Sequence, residues 1–197
     1  MSGKILFISC GRRGGNTYQA ASVAEAAARA VGAETLLAEA IRLNGIGRGC
    51  HGCMKCQKSS ADFGCIFQDE VSELLKRMPE FDLLVFCMPV YFFSMSMQAK
   101  GIIDRLFSMV KFDGEVTRSP LMGKKFALLV TSGSGEADSG VKCVRQSFRS
   151  IVDYFQGEFV GELYFPRCDA QKGGLVNDIE MPTRARQFGA MLAEQVK

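Results

Sequence analysis

Residues 81–90 read FDLLVFCMPV, a continuous apolar run bounded by proline. A strand with one wet face alternates apolar and polar residues, so a short run without alternation marks a parallel strand buried on both faces. Such a strand needs helices above and below it. The remaining apolar runs, KILFIS (4–9), AETLLAEA (33–40), the FALLVT of KKFALLVTSGSGE and EFVGELYF (158–165), are then four more strands. Helical patterns separate them: YQAASVAEAAARA starting near Asn16 or Thr17, DEVSELLKRM, MQAKGIIDRLFSM, VKCVRQSFRSIVDYF and MPTRARQFGAMLAEQV. Five strands alternating with five helices imply one doubly wound α/β domain over residues 1–197, with no linker or repeat. Residues 41–68 break the rhythm with glycine, cysteine and polar residues, and are read as a cysteine-rich insertion after the second strand. Right-handed crossovers place any ligand beyond the carboxyl ends of the strands.

Composition narrows the function classes. The net charge is only +3, without a basic stripe, which argues against nucleic acid as a partner. A dedicated small electron carrier that docks on basic partners is usually strongly acidic, and this chain is not. No stretch approaches the roughly 20 apolar residues of a membrane helix, and the start, MSGKILFISCGRR, has too short an apolar run for a secretory leader. A cytoplasmic protein is expected, and in that reducing setting the eight cysteines are better read as metal-binding or redox-active than as disulfides.

Three loops stand at the expected ligand end. SCGRRGGNT places small residues and two arginines after a strand, with Asn16 or Thr17 expected to cap the next helix. Free backbone N–H groups at a helix start suit a phosphate, although taken alone the loop is equally an ordinary strand-to-helix turn. It is neither a Walker A loop nor the GxGxxG fingerprint. PVYFFSMSMQAK puts Val90, Tyr91, Phe92, Phe93, Met95 and Met97 where polar residues are usual. Exposed apolar loops cover a flat ligand or a partner subunit, unless half of them simply pack in the core. TSGSGEADSG offers backbone amides after the fourth strand, or a flexible turn.

SCGRRGGNT, then the Cys-x-x-Cys-x-x-Cys of CHGCMKC, then PVYFFSMSMQAKGIIDR and TSGSGE, in that order, resemble the flavodoxin-like NAD(P)H-dependent FMN reductases, and within them the iron-sulfur flavoproteins. The resemblance spans almost the whole chain. It implies a five-stranded parallel sheet of order 2-1-3-4-5 that binds FMN. Ser9, Cys10, Arg12, Gly15, Asn16 and Thr17 would form the phosphate loop, with Cys10, Arg12, Asn16 and Thr17 making the contacts. Pro89, Val90, Tyr91, Phe92 and Ser94 would lie along the isoalloxazine, and Thr131, Ser132 and Gly133 would complete the pocket. Lys100, Asp104 and Arg105 match a helix start whose role is structural. The family commonly writes its phosphate loop Gly-Ser-Pro-Arg, where this chain has Ser9, Cys10, Gly11 and Arg12; a thiol is a weaker hydrogen-bond partner than a hydroxyl.

Cys50, Cys53, Cys56 and Cys65 admit three readings: ligands of a [4Fe–4S] cluster, a zinc tetrathiolate, or metal-free thiols. His51, the single histidine, is read as a solvated loop residue, Cys87 as packing, and Cys143 and Cys168 as bystanders. The expected function is an FMN-dependent oxidoreductase moving electrons from NAD(P)H or a reduced protein donor to a small-molecule or protein acceptor. The alternatives are a non-enzymatic iron-sulfur flavoprotein carrier, with ferredoxin as a partner, and a zinc-stabilised redox sensor. No side chain stands out as an acid–base catalyst. Family resemblance also implies a homodimer or homotetramer.

Overall fold

The structure is a computed structural model and describes residues 2–58, 63–168 and 174–197. In chain order its strands are β1 (Lys4–Ser9), β2 (Glu34–Glu39), β3 (Leu83–Tyr91), β4 (Ser94–Met95), β5 (Lys111–Asp113), β6 (Val116–Arg118), β7 (Lys125–Thr131) and β8 (Glu158–Phe165). The α-helices are α1 (Asn16–Ala30), α2 (Glu70–Arg77), α3 (Met97–Arg105), α4 (Val141–Tyr154) and α5 (Met181–Glu194). The main sheet runs β2-β1-β3-β7-β8 with every pair parallel, which is the order 2-1-3-4-5 of the five long strands.

Alternation along the central strands divides the core. Leu6, Ile8, Leu84, Phe86, Met88, Phe126, Leu128 and Val130 pack on one face with residues of α2, α3 and α4. Ile5, Phe7, Leu83, Val85, Cys87, Ala127 and Leu129 pack on the other with α1 and α5. The run at 83–89 is buried throughout, as two covered faces require. The alanines of α1 let α5 come close: a Cβ added at Gly189 would stand 1.9 Å from the Ala24 carbonyl oxygen.

Several local features differ from the sequence reading. The third helix ends at Arg105, and Leu106–Met109 tighten into a 3-10 turn, a common helix ending. The short strand β4, antiparallel to the end of β3, lies in a segment expected to be loop, and β5 and β6 form a separate two-stranded hairpin to which the sequence reading gave no element. Among the described residues of 41–68 there are only 3-10 turns, at Ala40–Arg42, Ile46–Arg48 and Lys55–Gln57. This segment is tied to the 3-10 turn that follows α3 and its capping residue, since Gln57 Nε2 donates to Val110 O at 2.9 Å and Gly64 N to Ser108 O at 2.9 Å. Part of the polar loop expected after β8 lies outside the described residues. Among the described residues no helix is long and apolar enough to cross a membrane.

Candidate functional site

The carboxyl ends of β1, β3 and β7 open into one cavity of about 370 Å³, within the usual range for a small-molecule site. Its walls are Gly11, Arg12 and Gly14–Thr17 from the first loop, Pro89–Tyr91 from the second, and Thr131–Gly133 from the third, closed by Gln19 and Cys168.

At the first loop the chain turns sharply into α1, with Gly15 N donating to Arg12 O at 3.0 Å. Gly15, not Asn16 or Thr17, is the residue capping α1; no side chain caps it, and its first turn holds no acidic residue. The opening N–H groups of a 15-residue helix are therefore left to face an anion. Both ends of the Asn16 amide have other work, donating to Cys168 O at 3.0 Å and accepting from Leu175 N at 2.9 Å. The buried hydroxyls of Thr17 and Thr131 bond each other at 2.7 Å, joining the first loop to the third. Arg12 is exposed on the wall and meets no carboxylate among the described residues, whereas Arg13 lies 3.8 Å from Glu39. Ser9 and Cys10 are fully buried and do not line the cavity. The Cys10 thiol donates to Ile8 O, and burial raises its pKa far above the ordinary thiol value.

The second loop is a hairpin. Tyr91 pairs with Ser94 across a two-residue tip, Phe92 and Phe93, whose φ angles are +47° and +66°. Positive φ at both central residues is the demand of a type I′ turn and is normally met by Asn-Gly. The tip rests on Gly140, where an added Cβ would stand 2.4 Å from the Phe93 backbone. Phe92 and Ser94 are exposed and do not line the main cavity; Phe92 and Phe93 border a neighbouring depression shared with Val90, Ser132 and Gly133.

The third loop is braced from below. Ser132 Oγ donates to Ser134 O at 2.8 Å and shares a hydrogen bond of 2.6 Å with Tyr164 OH. Ser132 N donates to Phe165 O and Ser132 O accepts from Cys168 N. With the side chain and both backbone groups engaged, Ser132 is a strut, and Gly133 is the exposed part of the loop. Arg145 lies over the Tyr164 ring at 5.1 Å and pairs with Glu162 at 2.6 Å and with Glu136. Burial pushes the Cys168 thiol up to about 11, so it stays protonated at neutral pH although it lines the cavity.

A second, smaller cavity is lined by all four of Cys50, Cys53, Cys56 and Cys65, with His51, Phe67, Arg105 and Phe107 around them. The void is about 20 Å³, room for one water-sized occupant. Among the described residues no three His, Cys, Asp or Glu side chains are arranged to hold a single metal ion. Cys50 and Cys53 are exposed on a loop with left-handed turns at Gly49, Gly52 and Met54, while Arg105 beneath them is 1% exposed. Its guanidinium grips Asp69, the cap of α2, through Nη1 to Oδ2 at 3.0 Å and Nη2 to Oδ1 at 2.9 Å. The His51 ring meets Phe67 edge-on at 4.9 Å.

Residues 3–169 match the profile of the NADPH-dependent FMN reductases. The chain belongs to that family. A 56-residue stretch is 39% identical to an iron-sulfur flavoprotein of Methanocaldococcus jannaschii, over 28% of each chain. The fold of this chain is similar to that of an NAD(P)H:quinone oxidoreductase from Methanothermobacter marburgensis, with a TM-score of 0.74 at 16% identity, covering 98% of this chain and all of the other. A flavone reductase is similar at a TM-score of 0.69 and 19% identity, over 98% of this chain but only 62% of that one. For this FMN reductase family member, Gly11, Gly14, Gln19 and Cys168 are wall residues that the sequence reading did not assign to the site. The glycines lay inside the quoted loop motif. Cys168 carried no sequence signal, because the pairing of β7 with β8 brings it beside the third loop and its carbonyl then accepts from Asn16 of the first.

Proposed function

We propose that this chain is an FMN-dependent oxidoreductase, taking electrons from NAD(P)H or a reduced protein donor and passing them to a small-molecule or protein acceptor. The described chain is read as one FMN-binding domain. The observation that carries this reading is the cavity at the carboxyl ends of β1, β3 and β7, with the uncapped start of α1 at one end and the apolar β3–β4 hairpin at the other. The residues fit FMN: N–H groups of Asn16 and Thr17 with the Arg12 guanidinium suit the phosphate, Pro89–Tyr91 suit the ring, and Gly133 leaves its backbone open to the ring edge. Bound FMN supplies hydride acceptance and one-electron exchange. The chain orients the ring, shields it with apolar side chains and steadies the third loop through Tyr164. No side chain is assigned an acid–base role.

The test is denaturation of the purified protein, with FMN expected in the supernatant or taken up on reconstitution. Arg12→Ala is expected to weaken FMN more than riboflavin, because only FMN carries the phosphate. Loss of both ligands alike would move Arg12 off the phosphate, and absence of any flavin binding would end the reading. Rapid NAD(P)H oxidation with a quinone separates the enzyme from a carrier reduced only by ferredoxin.

The thiol cavity favours a second component, a [4Fe–4S] cluster held by Cys50, Cys53, Cys56 and Cys65. Zinc needs its ligands gathered about one point, whereas a cubane offers four separate irons to thiolates spread around a cavity. The 20 Å³ void means that the exposed 50–56 loop, not the buried floor, would yield to admit it. In anaerobically prepared protein, Cys53→Ser is expected to lose most iron and sulfide yet keep FMN, while Cys143→Ser keeps both. Zinc in place of iron, or no metal in the wild type, would remove this component and leave the flavin reading standing.

A further inference from the structure

The floor of the thiol cavity carries an unanswered hydrogen-bond donor. Arg105 has five N–H bonds; its two terminal nitrogens bind Asp69, and Nη2 also donates to Ser72 Oγ at 2.5 Å. Nε is buried and has no partner among the described residues. Leaving a buried donor on a charged group unmade costs about 1–3 kcal/mol or more, and this donor belongs to a side chain that lines the four-thiol cavity.

The charge around the cavity points the same way. Arg48 and Arg105 both lie against the Phe67 ring, at 5.7 and 5.4 Å, and Lys111 Nζ donates to the Cys56 carbonyl. The carboxylate within this group, Asp69, is already bound by Arg105 and by Ser72 N. Arg48 lies 3.9 Å from the same carboxylate, and of the three cations Arg105 lines the cavity, where its charge suits a negatively charged occupant. A cubane held by four thiolates is a net anion that becomes more negative on reduction.

We propose that Arg105 donates its Nε–H to a sulfur of an anionic iron–sulfur centre held by Cys50, Cys53, Cys56 and Cys65, and so makes that centre easier to reduce. This rests on the cluster reading above. One electron enters from the reductant, no bond breaks, and the N–H donor stabilises the added charge. The bidentate grip on Asp69 fixes the guanidinium, so the donor is presented without rearrangement. Arg105 is a positioning and tuning residue and does not touch the flavin cavity.

The experiment uses the wild-type protein made with 15N-arginine, prepared anaerobically and reduced with dithionite. Pulsed EPR of the reduced cluster is expected to show a weak 15N coupling that persists in Arg48→Gln. Arg105→Lys retains a cation for Asp69 but has no Nε–H of this geometry; it is expected to keep iron, sulfide and FMN and to lower the cluster's midpoint potential. A cluster with no arginine coupling, or an unchanged potential in Arg105→Lys, overturns the proposal while leaving the cluster in place. Wild-type protein that binds FMN but no iron overturns the cluster reading and this proposal with it. Should Arg105→Lys lose FMN and iron together, it has failed to fold, and the labelled wild type decides.

Discussion

Asp69 is held by opposing influences. Burial raises its carboxyl pKa, while hydrogen bonds from Arg105 and the Ser72 amide, with the Arg105 charge, bring it to a net value below the ordinary one. A carboxyl whose folded pKa lies below its unfolded value adds stability that is complete above the unfolded pKa and lost as pH falls through the folded one. Part of the acid sensitivity below about pH 5 is therefore expected to come from this residue. Asp69→Asn leaves Arg105 buried without its counter-charge and should cost about 3–5 kcal/mol at pH 7. Urea unfolding at pH 7 and at pH 4 should show that cost together with a flatter pH dependence than the wild type has. Equal acid sensitivity in both proteins would mean that another carboxylate governs it.

Among the elements, the β3–β4 hairpin carries the plainest local conflict. Two phenylalanines occupy left-handed positions, which cost roughly 1–2 kcal/mol each for residues with a Cβ, and Phe92 recovers little by burial because it is 95% exposed. Strain of this kind persists where the displayed group has a use. Replacing Phe92-Phe93 by Asn-Gly is expected to stabilise the fold by about 1–3 kcal/mol in thermal unfolding and to slow turnover of a quinone acceptor. A destabilised variant would show that the rings support the fold instead.

Across the whole molecule, Tyr91, Phe92, Phe93 and Met97 form an apolar surface at the mouth of the flavin cavity, each more than half exposed. A surface of that kind marks a contact site, and a second copy covering the flavin is the occupant we propose. Light scattering at micromolar concentration should report a dimer or tetramer, and Phe92-Phe93→Asn-Gly should shift it towards monomer. A monomeric wild type would contradict this arrangement.

The sequence by itself determined the alternation of strands and helices and the three ligand-facing loops, because strand burial and helix periodicity are written locally, as in the run at 83–89 that is buried along its length, while the order of the sheet came with the family resemblance. The structural role expected of Lys100 and Asp104 takes the form of an ion pair one helical turn apart. What each loop residue does was decided by tertiary structure. The Asn16 and Thr17 side chains become ties only when Leu175, Cys168 and Thr131 arrive from more than 100 residues away, which leaves the backbone N–H groups of these two residues to face the cavity. Cys10, one residue past the end of β1, stays in the core because its amide is bonded to the Cys87 carbonyl at 2.8 Å. Arg105 read as part of a helix motif; its place beneath four cysteines depends on α3, the cap of α2 and the 41–68 segment meeting in space, and no spacing along the chain encodes that meeting.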